Sequence, residues 1–364
     1  MDLETRAANN QPLPGAATRN DFATLPREIV MEIMCELPPE SFNELKGTSK
    51  YMNQVGKDGL EMYKKRVNFA KEYHHMSPFK VAFHGNKVAI ADRTARTITV
   101  YDFVKDQKLH EWASATKDES GDDGYWIRNM DFNHDGTLLA TGSREELMRV
   151  FDMNGKIVHE HKCNNWVELT RFDPVEVTKL WFADYMGNIF LLDTFSGMVI
   201  NHMKVDSSIN NWLFLNDDWV VVTTHNKTLF LKKKISGIYA QFDNGNSTYG
   251  IAVVNDTIMT GSHDNRIKTY KKQNNQWELI NTVEHSDWVT GLAYNGKYLY
   301  VTCMKDSDIR IWDLKANKFV DKKFKTKEKH VVDGFNFDTS LKLEFYRGYL
   351  FQSLGDRVVQ RFIG

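Results

Sequence analysis

The sequence predicts a mainly-β chain of about seven repeating four-stranded units, headed by a small all-α module. Three observations predict it. From residue 78 onward, short β-rich runs punctuated by turn residues recur to the end of the chain. Equivalent runs return at a spacing near 40 residues. Before residue 68 the pattern is different, with apolar residues at helical intervals and prolines at the element ends.

Composition bounds the function classes. The 364 residues carry 47 Lys+Arg against 48 Asp+Glu, a balance that draws the chain neither to nucleic acid nor to a membrane surface. Mean hydropathy is −0.49, and no apolar run approaches the roughly 20 residues of a membrane span. The opening MDLETRAANN lacks the apolar core of a signal peptide. Cys35, Cys163 and Cys303 are an odd, sparse set that suits a reducing compartment. Without a secretory signal, the Asn-x-Thr matches at Asn226, Asn246 and Asn255 count as chance. The expectation is a cytoplasmic or nuclear protein.

Residues 1–20 are small, polar and proline-containing, and read as a disordered tail. The stretch 25–39 reads as one helix. Pro26 suits its first turn, Glu28 complements the N-terminal dipole, and Pro38-Pro39 stops it. Ile29, Ile33 and Leu37 form one apolar row, with Val30 and Met34 beside them. Shorter helical stretches follow at 41–46 and 50–55, and a longer one runs from Asp58 to about His74. A unit of roughly 45 residues rarely builds its own core. Its aliphatic surface therefore meets either a partner or the domain that follows, and periodicity leaves both open.

Phe22, Leu25-Pro26, Glu28-Ile29, Ile33, Leu37-Pro38-Pro39, Phe42, Leu45 and Ser49-Lys50 stand in an order that resembles the F-box. The match spans 21–67, followed by a helical linker at 68–77. Met52 and Tyr63 replace residues that are often aromatic and tryptophan in that family. The resemblance implies docking onto the Skp-type adaptor of a cullin ubiquitin ligase, through Leu25, Pro26, Ile29, Ile33, Leu37 and Leu45.

In the body, paired runs such as TLLATGS with LMRVFDM and YLYVTCM with DIRIWDL recur. Tyr101, Phe151, Leu192, Lys232, Tyr270, Trp312 and Phe362 serve as markers in the second run of each pair. Their spacings are 50, 41, 40, 38, 42 and 50 residues. That period, with four short strands per unit, indicates the blades of a β-propeller over 78–364. The stretch from His285 and Trp288 through Asp306 to Trp312-Asp313 resembles a WD repeat, and Asp264 and Asp356 repeat its turn spacing. Asn226 and Met186 stand where other blades have lost it. The chain ends on a third strand, so a segment near 67–76 is expected to supply the missing outer strand and close the ring.

No catalytic constellation is present: no phosphate loop, G-x-S-x-G, H-E-x-x-H or C-x-x-C. Neither enzyme activity nor a cofactor is expected. His159, His161 and Cys163 alternate on one strand and are the one arrangement pointing to metal, but a fourth ligand is missing. Of the lysines from Lys315 to Lys329, Lys315, Lys318, Lys322 and Lys323 suit a charge-protected edge strand. Lys325, Lys327 and Lys329, with Arg93, Arg96 and Arg128, fall on one propeller rim and suit a phosphorylated or acidic peptide. Asp118, Glu119, Asp122 and Asp123 nearby oppose that field. Trp126, Trp166, Trp212, Tyr249 and Trp288 each stand at the start of an innermost strand. There they serve as binding anchors or as packing between blades.

The function expected is substrate receptor of a Skp–cullin–F-box ligase, with a target of unknown identity. The alternatives are a WD-repeat scaffold acting without cullin recruitment and a propeller hydrolase or metal protein.

Overall fold

The computed structural model describes residues 70–74, 81–92, 96–114, 127–215, 218–233, 235–304, 309–324, 331–332, 335–336, 342–347, 349–353 and 357–362. The chain parts into two units, one of residues 1–70 with 361–364 and one of residues 71–360. The six F-box positions from Leu25 to Leu45 and the tail at 1–20 lie outside the described residues. The described part is all strand, turn and bend, with no helix.

Seven four-stranded antiparallel sheets follow one another in sequence order. Blade 1 is Val81–His84, Lys87–Asp92, Thr97–Asp102 and Gln107–Ala113, from the innermost strand outward. Blade 2 is Ile127–Phe132, Leu138–Ser143, Leu147–Asp152 and Ile157–Lys162. Blade 3 is Val167–Phe172, Lys179–Asp184, Asn188–Asp193 and Val199–Lys204. Blade 4 is Ile209–Phe214, Trp219–Thr224, Lys227–Lys232 and Ile235–Asp243. Blade 5 is Thr248–Val254, Thr257–Ser262, Arg266–Gln273 and Gln276–Glu284. Blade 6 is Val289–Tyr294, Tyr298–Cys303, Ile309–Asp313 and Lys318–Phe324. In blade 7, Lys342–Tyr346, Tyr349–Ser353 and Arg357–Phe362 are completed by Ala70–His74.

The ring closes between blades 7 and 1. Phe83 stacks on Tyr346 with centroids 4.9 Å apart, and Gln360 donates to the Phe103 carbonyl at 3.4 Å. Ala70–His74 supplies the outer strand that the last sheet would otherwise lack, where the sequence placed it. Two expectations give way there. The long helix to His74 and the helical linker 68–77 are replaced at 70–74 by a strand, because the sheet edge pairs the backbone groups of that segment.

Burial explains why the middle strands read as apolar runs. Trp219–Thr224 is buried at all six positions, because each blade packs a neighbour on both faces. Ile157–Lys162, an outer strand, is exposed or half-buried throughout. The register corrects one marker. Leu231, not Lys232, faces Val220, the counterpart of the residue that Tyr270 and Trp312 face in their blades. Leu231 is buried while Lys232 is half-exposed, and spacing around the corrected marker becomes 39 on each side.

Candidate functional site: one rim of the propeller

The loops leading into the innermost strands and the turns between second and third strands share one rim. Backbone hydrogen bonds tie them blade by blade. Tyr185 N donates to Trp166 O, His225 N to Ser208 O, His263 N to Ser247 O, and Met304 N to Trp288 O. These bonds define equivalent positions, and they separate the expected aromatic ring. Trp166 and Trp288 occupy the position just before the inner strand. In blades 4 and 5 that position holds Ser208 and Ser247, not Trp212 and Tyr249. Trp212 stands four residues and Tyr249 two residues past that position, and the inner-strand bulge is common to blades 3, 4, 5 and 6.

Trp212 lies within its strand and is 2% exposed. It packs with Trp181, Leu229 and Leu231 between blades 3 and 4, with Phe214 5.7 Å away. Its role is packing. Trp288 is 42% exposed and lies parallel to His263, 4.5 Å and 13°. Tyr249 flanks the same imidazole at 4.8 Å. The imidazole is thus held between two aromatic rings on the rim. Burial holds His263 below its ordinary pKa; Asp287 opposes that shift and His225 adds to it. The imidazole is therefore neutral at physiological pH.

A second aromatic seam lies at blades 2 and 3. The Arg144 guanidinium sits 4.3 Å over Trp166, a cation–π contact, and Tyr185 meets the same ring at 5.5 Å. Tyr185 and Met186 are exposed beside it. Sequence reading missed Arg144, Tyr185 and His263, all turn residues between second and third strands. They stand seven residues before the third-strand markers Phe151, Leu192 and Tyr270, next to the turn position that the sequence spacing locates.

The cationic proposal meets a different geometry. Arg128 is spent on Glu168 of the next blade, at 2.8 Å with both side chains largely buried. Arg96 sits in its turn at φ 53°, its carbonyl accepting from Ser114 N. Arg93, Trp126, Lys325, Lys327 and Lys329 lie outside the described residues. Lys318, Lys322 and Lys323 lie on the outer strand of blade 6.

His159, His161 and Cys163 do not converge. His159 Nε2 bonds the Thr194 carbonyl at 2.8 Å, while His161 packs on Phe182 and Phe190. Burial, with Asp184 adding, pushes the Cys163 thiol up to about 12, so it stays protonated at neutral pH.

The model of the WD domain, G-beta repeat matches residues 117–152 and 277–313. The second match spans the outer strand of blade 5 and three strands of blade 6, so the sequence repeat is staggered by one strand against the blade. No curated protein matches the chain. Among solved structures, the β-propeller domain of Cps50 (Swd1) from Myceliophteria thermophila is similar at 11% identity and TM-score 0.67, covering 81% of this chain and 100% of that one. A chain of the mitotic checkpoint complex is similar at 14% identity and TM-score 0.67, covering 82% and 95%. The chain thus carries WD40 repeats on a seven-bladed β-propeller.

Proposed function

We propose that this chain is the target-recognition subunit of a Skp–cullin–F-box ubiquitin ligase, working in the cytoplasm or nucleus. The observation that carries the target-binding half is the rim. Trp288, stacked on His263, and Tyr185, tilted against Trp166, are large exposed aromatics held by neighbouring rings, and such residues anchor protein partners at low entropic cost. The ligase half rests on the F-box resemblance of 21–67, with Leu25, Pro26, Ile29, Ile33, Leu37 and Leu45 as the contact to the Skp-type adaptor. No residue makes or breaks bonds in this scheme; transfer is accelerated by effective concentration.

The test is a pull-down of purified Skp-type adaptor by the full chain. Wild type captures it, and Ile29→Asp with Leu37→Asp abolishes capture. Capture that survives the double substitution sinks the ligase half. Adaptor capture without cullin would leave the alternative, a WD-repeat scaffold acting without cullin recruitment. Phosphatase treatment of the target decides the role of Lys325, Lys327 and Lys329. If binding persists, charge reversal there is expected to be harmless too.

A further inference from the structure

The centre of the ring holds a cavity of about 270 Å³. At one level the innermost strands of blades 2 to 6 place Asp131, Arg171, Leu213, Ala252 and Ala293, each facing the third residue of its second strand. Glu344 holds the same place in blade 7. Two adjacent alanines leave room that larger side chains would fill. Gly291 narrows the opposite direction: a Cβ there would meet Leu343 Cβ at 2.9 Å, so blades 6 and 7 approach closely.

Arg171 lines this space and makes no side-chain hydrogen bond or ion pair among the described residues. The carboxylate of Asp131 is turned to the Phe172 amide at 2.8 Å. The remaining wall is mixed: Ala252, Leu292, Ala293 and Leu343 form an apolar patch, and Asn211, Thr290 and Tyr294 add polar groups. A guanidinium with no partner among the described residues, beside an apolar patch, is complementary to a carboxylate on an aliphatic body, because its fork pairs both oxygens. Glu344 on the far wall disfavours a second negative charge, which selects a monocarboxylate over a phosphate dianion. The volume is below the roughly 300–1,000 Å³ of sites for drug-sized ligands, so the occupant is one or two residues in size.

We propose that the channel binds a monocarboxylate carried on an aliphatic chain, with its carboxylate on Arg171. Two sources share this chemistry: the C-terminal residue of a bound peptide and a short free aliphatic acid. The site shares Tyr249 with the rim stack but not His263 or Trp288, and it does not depend on the ligase reading.

Calorimetric titration of the full chain tests it, using hexanoate, hexanamide, a tetrapeptide ending in leucine, and the same peptide amidated. Each acid is expected to bind about tenfold tighter than its amide, the worth of one charge-assisted pair. Arg171→Gln removes that preference without lowering Tm, and Arg171→Lys restores part of it. A peptide acid tighter than hexanoate identifies a chain terminus, and equal affinities identify the free acid. Equal binding of acid and amide to wild type, a preference surviving in Arg171→Gln, or no binding at millimolar concentration overturns the proposal. Rim capture of a protein target by Arg171→Gln is a separate readout, expected unchanged, so failure of one reading leaves the other standing.

Discussion

Blades 4 and 6 occupy equivalent places in the ring and solve the same problem with different residues. Blade 6 keeps the residues of the repeat: His285 lies 3.5 Å from Cys303 Sγ, and buried Trp312 packs on Phe319 at 5.6 Å. Blade 4 has Val205 at the position of His285, four residues before its inner strand, and Leu231 at that of Trp312. Asn244 holds that position for blade 5 and is satisfied at the seam, donating to Thr228 Oγ1 of blade 4 at 2.8 Å and accepting from Tyr270 of blade 5 at 3.1 Å. On the other rim, Lys233 reaches Asp173 of blade 3 at 2.9 Å, both fully buried. Asp173 also takes the Trp181 indole at 2.9 Å, and its carbonyl meets His134 of blade 2 at 2.8 Å. A blade seam needs satisfied buried polar groups and filled volume. It does not need one particular set of side chains, so the repeat signature fades while the fold persists.

The largest expected effect is on blade 4. Lys233→Ala leaves the Asp173 carboxylate buried without its cation, and should cost about 3–5 kcal/mol, read as a fall in Tm. Burial alone would raise the pKa of Asp173. Lys233, the amides of Glu176 and Val175 and the Trp181 indole outweigh it, so the net shift is downward. The unfolded chain therefore binds the proton more readily. This contribution is complete above the ordinary carboxylate range and is lost as pH falls through the lowered value. A Lys233→Ala protein as stable as wild type breaks the account of the seam.

Next in size are the two tryptophans. Trp212→Ala in blade 4 should cost about 3–5 kcal/mol of stability. Trp288→Ala at blade 6 should leave Tm nearly unchanged and weaken target capture by tenfold or more, as for an anchor worth over ~1.4 kcal/mol. Reversal of the two outcomes would exchange their roles.

The register at blade 4 can be tested by neighbours. Leu231→Ala is expected to cost about 2–5 kcal/mol and Lys232→Ala to stay within about 0.5 kcal/mol. Equal losses from both would contradict the pairing of Leu231 with Val220.

The smallest effect is titration of the histidines. Burial lowers His84, His161, His202 and His263 below the ordinary value. Each contributes stability above the unfolded pKa of about 6.5, lost progressively as pH falls below it. Tm should decline between pH 7.5 and 5.5, and a flat profile would contradict that burial.

Much of this architecture was legible. Period and strand pattern indicated about seven blades, and the missing outer strand pointed to the segment that holds Ala70–His74. What failed was register. A one-residue slip exchanges the two faces of a strand, which is how Lys232 was taken for the core position that Leu231 fills. Trp212 and Tyr249 are likewise more conspicuous in sequence than Ser208 and Ser247, whose equivalence to Trp166 and Trp288 only the backbone pairing reveals. The rim contacts of Arg128 and Arg144 are pairings across blades and turns, between residues distant in sequence, which no local pattern encodes. The Arg128–Glu168 pair joins residues 40 positions apart.

The division of labour is tested most directly by quantitative affinity capture with three full-length proteins. These are wild type, Ile29→Asp with Leu37→Asp, and Trp166→Ala with Trp288→Ala. The account predicts that the first double variant loses adaptor and cullin but keeps target proteins, and that the second loses targets but keeps adaptor and cullin. Adaptor and cullin retained by Ile29→Asp with Leu37→Asp, or targets retained by Trp166→Ala with Trp288→Ala, would contradict it.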